Sequence, residues 1–452
     1  MNATRLIVGC AAVLAGASAG ASAAPLAPMP QILPIPHVGP LAPSGSSNAP
    51  AREPSGPPSK PLPDCPAVHG AKFTAPPVKL ARLRIRHLVN SFRKNMFGIA
   101  AGGVIQKESC DALTRDLNDV ANAHARWLRI DINWAEIQDG GRSQYDWRRI
   151  DRVAKVATAA GLRVLGGIFY TPWWARPRNT TATYGPDPST YATFAAAAAR
   201  HYSRLGVHAY EIWNEPNSPE FWTPTPNPAA YTALLKAAYV AIKRADPSAT
   251  VLTGGTAPEP TGPTSYSPVD FLNGIYAAGG KGFFDAVAHH PYCWPALPGA
   301  KQPWSPWYQM YGTAPSLRSV MIANGDGAKK IWATEFGAPT DGPIGSFVNA
   351  GTQANALTKA YKLFAGYRWA GPLFFFEGRD VGKSVSTNQN FFGLMTYDFS
   401  PKPSYAAYAS ISRAIARFVN RQAERLAWRK RHKRCSVHRH RLGACSRLRR
   451  SR

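Results

Sequence analysis

The stretch YEIWNEPN, Tyr210 to Asn217, ends an aliphatic and aromatic run with a carboxylate, Glu215, set between an amide and a proline. The run Val207–Trp213 has the composition of a buried strand, and Pro216 stops it because proline has no N–H to give a ladder. An unpaired ionised carboxylate in a low-dielectric site is costly, so a charge at the end of such a strand implies that something there uses it.

This run is the fourth of eight. Met96–Ala101, Arg126–Ile132 and Leu162–Phe169 precede it, and Thr250–Gly255, Phe284–His290, Lys330–Phe336 and Pro372–Glu377 follow. Amphipathic or Ala-rich segments separate them, among them Cys110–Ala123, Trp147–Ala160, Thr190–Arg204, Pro228–Ala245 and Gln353–Trp369. Eight strand–helix units, spaced roughly 30 to 45 residues apart, predict an α/β fold, the (β/α)8 TIM barrel. A doubly wound open sheet is the rival, but no Gly-rich phosphate turn follows the first strand.

In such barrels the active site is built at the C-terminal ends of the strands, which is where Asn214 and Glu215 fall. An acid after a strand commonly caps the next helix, so one carboxylate is weak evidence. The seventh run, KIWATEFGAP, puts Glu335 in the equivalent place, and closure of a barrel sets strands four and seven on facing sides of one mouth. Two carboxylates over one pocket are the equipment for cleaving a glycosidic bond, one protonating the leaving oxygen and the other attacking or stabilising the anomeric carbon. The plainer alternative is two unrelated surface acids.

The segments WNEPN and TEFG resemble the acid/base and nucleophile signatures of the clan A glycoside hydrolases. From Phe97 to Tyr408 the chain is most similar to the family 39 and family 5 branches, and FFGLMTYDFSPKPSYAAY, Phe391 to Tyr408, resembles their strand-eight exit and last helix. The resemblance implies a retaining β-glycosidase with Glu215 as general acid/base, Glu335 as nucleophile and no metal or organic cofactor. It implies further that Asn214 binds the sugar 2-hydroxyl, that Arg129 in WLRIDINW keeps the nucleophile ionised, and that HHPYCW supplies His290 and Tyr292, with Tyr292 touching Glu335. His289 stands as the alternative to His290. One departure is clear: family 5 enzymes usually carry a tryptophan platform at the end of strand eight, where this chain has Phe376 and Glu377. For Glu377 a salt bridge to Arg379 is favoured over a sugar contact.

Aromatic rings stack on the apolar faces of sugars. Trp134, Trp173, Trp174, Trp222, Trp294, Trp304 and Trp307 all follow candidate strands, which argues for an extended cleft, with Trp174 and Trp222 as the first choices for platforms and Trp294 beside them.

The ends of the chain carry the remaining signals. Arg5, the apolar stretch Leu6–Leu14 and Ala21-Ser22-Ala23 read as a secretory signal over residues 1–23, so an extracellular protein is expected. Ile7-Val8-Gly9-Cys10 has the form of a lipoprotein box, but it comes too early in the apolar run. Residues 24–89 form a spacer and lead-in; from 24 to 64, 13 of 41 residues are proline, too polar and stiff a composition for a packed core. The barrel is expected over 90–419 and a basic tail over 420–452. No later run is long and apolar enough for a transmembrane helix.

Of the chain's +27 net charge, the tail from Arg421 holds thirteen Lys or Arg against one acid, Glu424. A nucleic-acid protein would place its basic and aromatic residues on one folded surface, so none is expected as partner. The tail instead suits an anionic cell-wall polymer, alongside the polysaccharide or oligosaccharide substrate of a monomer. A catalytically weak carbohydrate-binding barrel held on the wall is the alternative function, against which both glutamates count. For the cysteines, Cys435 with Cys445 is the first expected pair and Cys65 with Cys110 the next, which leaves Cys293 a free thiol.

Overall fold

The computed structural model describes Cys65, residues 96–414 and Trp428. Eight parallel strands, β1 (Phe97–Ala100), β2 (Trp127–Asn133), β3 (Arg163–Phe169), β4 (Ala209–Ile212), β5 (Thr250–Leu252), β6 (Ala286–His289), β7 (Lys330–Phe336) and β8 (Ala370–Phe376), close into a barrel in sequence order. The closing seam pairs β8 with β1 from Leu373–Phe97 to Phe376–Ala100. Helices α1 (Cys110–Asn122), α2 (Arg148–Ala159), α3 (Pro188–Ser203), α4 (Pro228–Ala245), α5 (Pro268–Ala277), α6 (Leu317–Ala323) and α7 (Ala350–Gly366) follow the first seven strands, and residues 403–414 are helical after the eighth. The expected barrel is thus the observed one. The expected signal segment, the spacer through Asp64, most of the tail and the Cys435–Cys445 pair lie outside the described residues.

Local chemistry fixes where the helices begin. Asp187, Asn227 and Ser267 each accept a hydrogen bond from the first turn of α3, α4 and α5, and a proline follows each cap at the position whose N–H has no helical partner. Each cap is worth about 1 kcal/mol. In α1, Leu113, Leu117 and Val120 recur at helical spacing and turn one stripe into the core. Asn349 caps α7 at Thr352, so that helix starts and ends a turn earlier than its apolar pattern suggests.

The floor and walls of the barrel follow from strand alternation. Trp127, Trp332 and Phe374 come from β2, β7 and β8, and their rings meet at 5.1 to 6.4 Å. Because β8 and β1 stand between β7 and β2, the Trp127–Trp332 contact passes through the barrel interior. Two residues along β2, Arg129 therefore also points inward, as does Asp131 above it, while Leu128, Ile130 and Ile132 face the helices. A Cys65–Cys110 disulfide ties the chain ahead of β1 to the start of α1, and Cys293 is buried and free, as the sequence suggested. No helix among the described residues is long and apolar enough to cross a membrane.

Candidate active site

The end of β4 departs from regular geometry. Trp213 has φ 70° and Glu215 φ 44°, left-handed conformations that cost a non-glycine residue strain and persist only where neighbours impose them. The imposing contacts are visible. Trp213 donates its Nε1 to the Phe221 carbonyl at 2.7 Å, and the Glu215 amide donates to the Gly255 carbonyl at 2.9 Å. Asn217 clamps the following loop, giving its Nδ2 to the carbonyls of Ala257 and Tyr266 and accepting from the Ala257 amide. The turn at Trp213 breaks the two-residue alternation, so Glu211, Asn214 and Glu215 all reach the barrel mouth.

Strand β7 makes a similar adjustment. Its register against β8 shifts between Ala333 and Phe336. Two successive residues thereby face inward: Thr334 donates to Glu211 Oε1 at 3.0 Å, and Glu335 meets Arg129 and Tyr292.

Arg129 organises the network. Its Nε donates to Glu211 Oε2 at 2.6 Å, Nη1 to Glu335 Oε1 at 2.6 Å and Nη2 to Asn214 Oδ1 at 2.8 Å. Spending the amide oxygen on Arg129 leaves Asn214 Nδ2 buried without an acceptor. The Tyr292 hydroxyl donates to the other oxygen of Glu335 at 2.8 Å. His290 Nδ1 lies 2.7 Å from Glu215 Oε1 and 3.7 Å from Glu335 Oε2. One carboxylate oxygen of Glu215 and one of Glu335 come within 4.8 Å of each other.

The electrostatics separate the two glutamates. Among the described residues, Glu335 accepts hydrogen bonds from a guanidinium and a phenol, whereas Glu215 is bonded to a histidine. Burial pushes the Glu215 carboxyl up to about 7, with the hydrogen bond from His290 opposing and the charge of Glu335 adding to the rise. Burial would lower His290, but Glu335, Glu211 and Glu215 outweigh it and raise the imidazole to about 9. For Glu211, burial raises and Arg129 lowers, and the net result is a carboxyl below its ordinary range. Asp131 is pushed by burial to about 7, against the pull of Arg129. The half-buried Tyr170 stands in the same cup, its phenol raised by burial and then by the charge of Asp131.

The sequence-predicted residues Arg129, Asn214, Glu215, His290, Tyr292 and Glu335 thus come together in one mouth. His289, the alternative histidine, is held instead between Thr256 Oγ1 and the Pro306 carbonyl, and burial depresses it to about 3. The tryptophans divide. Trp222, expected as a platform, is core: its ring packs edge-on against Trp213 and Tyr231, and Gly185 lies so close that a Cβ there would sit 2.6 Å from it. Trp134 and Trp307 are likewise fully buried. Trp174 is half-buried, its edge on Trp134 and its Nε1 given to the Gln138 carbonyl at 3.1 Å. Trp294 is buried with its Nε1 unpaired, and Trp173 and Trp304 are exposed.

The expected Glu377–Arg379 salt bridge does not form. Arg379 turns to Glu108 and Asp116, because burial places those acids against it, and Glu377 Oε1 is left without a partner. Phe376 fills the barrel mouth beside Phe392, where the sequence lacks the strand-eight tryptophan. The sequence reading missed Glu211, Asp131 and Tyr170. For Glu211 a signal existed: it is a charge inside the same apolar run whose terminal charge drew attention.

Glu215, His290 and Glu335 are also donor types that hold cations, and their donor atoms converge within 4.8 Å. The Arg129 guanidinium, 2.6 Å from Glu335, already supplies the positive charge at that place, so the donor set does not fit a metal.

The family model described as Cellulase (glycosyl hydrolase family 5) matches residues 90–317, a span that holds Arg129, Asn214, Glu215, His290 and Tyr292 but not Glu335. Among solved structures, the chain is similar to a family 39 glycoside hydrolase from the gut symbiont Bacteroides cellulosilyticus WH2, at 22% identity and a TM-score of 0.56 over 72% of this chain and 65% of that one. It is also similar to a GH5_18 protein from Bifidobacterium longum subsp. infantis, at 15% identity and a TM-score of 0.53 over 71% of this chain and 78% of that one. The exo-beta-1,4-mannosidase Op5Man5 from Opitutaceae bacterium strain TAV5 gives 16% identity and a TM-score of 0.51 over 71% and 60%. The chain therefore spans just under two thirds of the family 39 enzyme, and these likenesses are of fold. No curated protein sequence matches the chain.

Proposed function

The chain belongs to the cellulase family, glycosyl hydrolase family 5, and from that premise we propose that it is a retaining β-glycosidase acting on a poly- or oligosaccharide. The observation that carries this reading is the pair of glutamates, with facing oxygens within 4.8 Å and unlike partners. Retaining enzymes hold their two carboxyl groups about 5 to 5.5 Å apart, and inverting ones leave roughly 6.5 to 9.5 Å for a water.

Glu215, held protonated by burial, gives its proton to the glycosidic oxygen as Glu335 attacks the anomeric carbon. The C–O bond to the leaving group breaks, the leaving sugar departs as an alcohol, and a glycosyl ester forms on Glu335. Glu215, now a carboxylate, takes a proton from water, whose oxygen attacks the same carbon and releases Glu335. Arg129 and Tyr292 hold the nucleophile in place through both steps, and the free Asn214 Nδ2 is the donor offered to the sugar. Proton NMR of the first sugar released from an aryl β-glycoside tests this: the β-anomer is expected first, and an initial α-anomer would contradict double displacement.

Export is part of the proposal, prompted by the N-terminal signal pattern and consistent with the Cys65–Cys110 disulfide, since such bonds persist in oxidising compartments. The basic run from Arg421 onward is proposed to hold the enzyme on anionic wall polymers through salt-screened attraction. Deleting residues 421–452 should abolish wall binding at low salt; unchanged binding would remove this role.

A further inference from the structure

Asp131 is a carboxyl group that the proposed mechanism leaves unused. It lies on the inner face of β2, one layer above Arg129, and is 4% exposed. Its carboxyl feels the charges of Arg129, Glu335, Glu211 and Glu136, in keeping with its place on the inner face of β2 above the Arg129 that binds Glu335. Among the described residues, none donates a hydrogen bond to its carboxylate. Beside it the β1 loop carries Gly103, where a Cβ would come within 3.2 Å of Asp131 Oδ2, so any larger side chain there would crowd the carboxylate. The carboxylate keeps a small opening to solvent, and an acceptor at the rim of a pocket with no protein donor takes its hydrogen bonds from water or from a ligand that displaces it.

We propose that Asp131 is a specificity-determining residue whose carboxylate accepts hydrogen bonds from hydroxyl groups of the sugar unit attacked by Glu335, selecting neutral sugars over uronic acids. The proposal rests on the glycosidase reading. A sugar's hydroxyls are donors of the right kind, and Arg129 does not serve Asp131: each of its three nitrogens is directed to another partner, Glu211, Glu335 or Asn214. A uronate is excluded by sign. With Glu215 carrying the proton it donates, the cup holds three carboxylates, Asp131, Glu211 and Glu335, against two cationic groups, Arg129 and His290, and like charges brought together without water repel.

The test uses the full chain with 2,4-dinitrophenyl β-glucoside, β-mannoside, β-xyloside, β-galactoside and β-glucuronide, plus the monodeoxy analogues of the neutral glycoside turned over best. On that glycoside Asp131→Ala should lower kcat/KM by about 10- to 150-fold, the range for a hydrogen bond to a charged group. On the analogue lacking the contacted hydroxyl the same substitution should cost no more than about twofold, because the contact is already absent. Asp131→Asn, which keeps the shape, should raise the rate on the glucuronide relative to the neutral sugar. An equal loss on every analogue, with the thermal midpoint lowered in step, would assign Asp131 a structural role and overturn the proposal. Calorimetric binding of the free sugars separates the two readings. Binding weakened by Asp131→Ala without any turnover would sink the glycosidase reading and leave Asp131 standing. Turnover and binding indifferent to Asp131→Ala would do the reverse, and a wild type that neither binds nor cleaves any of these sugars would overturn both.

Discussion

Glu215 and Glu335 share one pocket, and what separates them is the company each keeps. Glu335 accepts from a guanidinium and a phenol, while Glu215 is buried against His290 alone. Environments that push two carboxyl groups apart in this way fit the proton-donor and nucleophile roles proposed for them. With Glu215 pushed up to about 7, the protonated acid is lost as pH rises through that value. For a substrate with a poor leaving group, kcat/KM should therefore fall up to tenfold per pH unit above about 7. A dinitrophenyl glycoside, whose leaving group needs no proton, should show a flat limb over the same range. Identical alkaline limbs for the two substrates would take the acid role from Glu215. Most of this constellation was legible in the sequence: Asn214, Glu215 and Glu335 because they sit at strand ends, where the barrel makes its site, and Arg129, His290 and Tyr292 because their motifs resemble those of the glycoside hydrolases. Nothing in the sequence marked Asp131; Glu211 left a signal, a charge inside an apolar run, but its partners Arg129 and Thr334 are brought near only by closure of the barrel. Trp222 was misread for the same reason: position after a strand does not say whether Tyr231 and Gly185 will cover a ring.

At the scale of the elements, the site depends on small departures from regular strands. Strand β4 ends early at the left-handed Trp213, and β7 slips its register so that Thr334 and Glu335 both face inward. Apolar runs predicted the eight strands, and the largest overruns are at β4, β5 and β6, each three residues shorter than its hydrophobic pattern, because the chain past Ile212, Leu252 and His289 leaves the ladder to shape the mouth. Gly255 is where this geometry is tightest. A Cβ there would lie 2.1 Å from His290 Nε2 and 2.7 Å from Glu211 Oε1. Gly255→Ala should displace His290 and lower kcat/KM by about 10²-fold, the scale of an ångström-sized misplacement, with circular dichroism unchanged. Wild-type kinetics in that variant would show that the position of His290 is not critical.

For the whole molecule, stability also carries a pH signature from outside the mouth. Glu377 is buried with Oε1 unpaired, and burial, followed by the charges of Asp380 and Asp116, raises its carboxyl well above 4.5. A carboxyl that binds its proton more tightly when folded favours the unfolded chain as pH rises past the ordinary carboxyl range, because only the unfolded form then ionises freely. Glu377→Gln should raise the thermal midpoint at pH 8 and do so less at about pH 5. An equal or reversed change at the two pH values would place the cost of Glu377 elsewhere. The central claim is that one glutamate carries the sugar and the other moves the proton, and the most direct measurement is azide rescue of Glu335→Ala on an aryl β-glycoside. Without azide this variant should retain at most about 10⁻³ of wild-type kcat, and with azide it should regain turnover and yield the α-glycosyl azide, since a small anion then occupies the place of the missing carboxylate. A variant that hydrolyses the glycoside at the wild-type rate, or one that gives a β-glycosyl azide, would contradict the account.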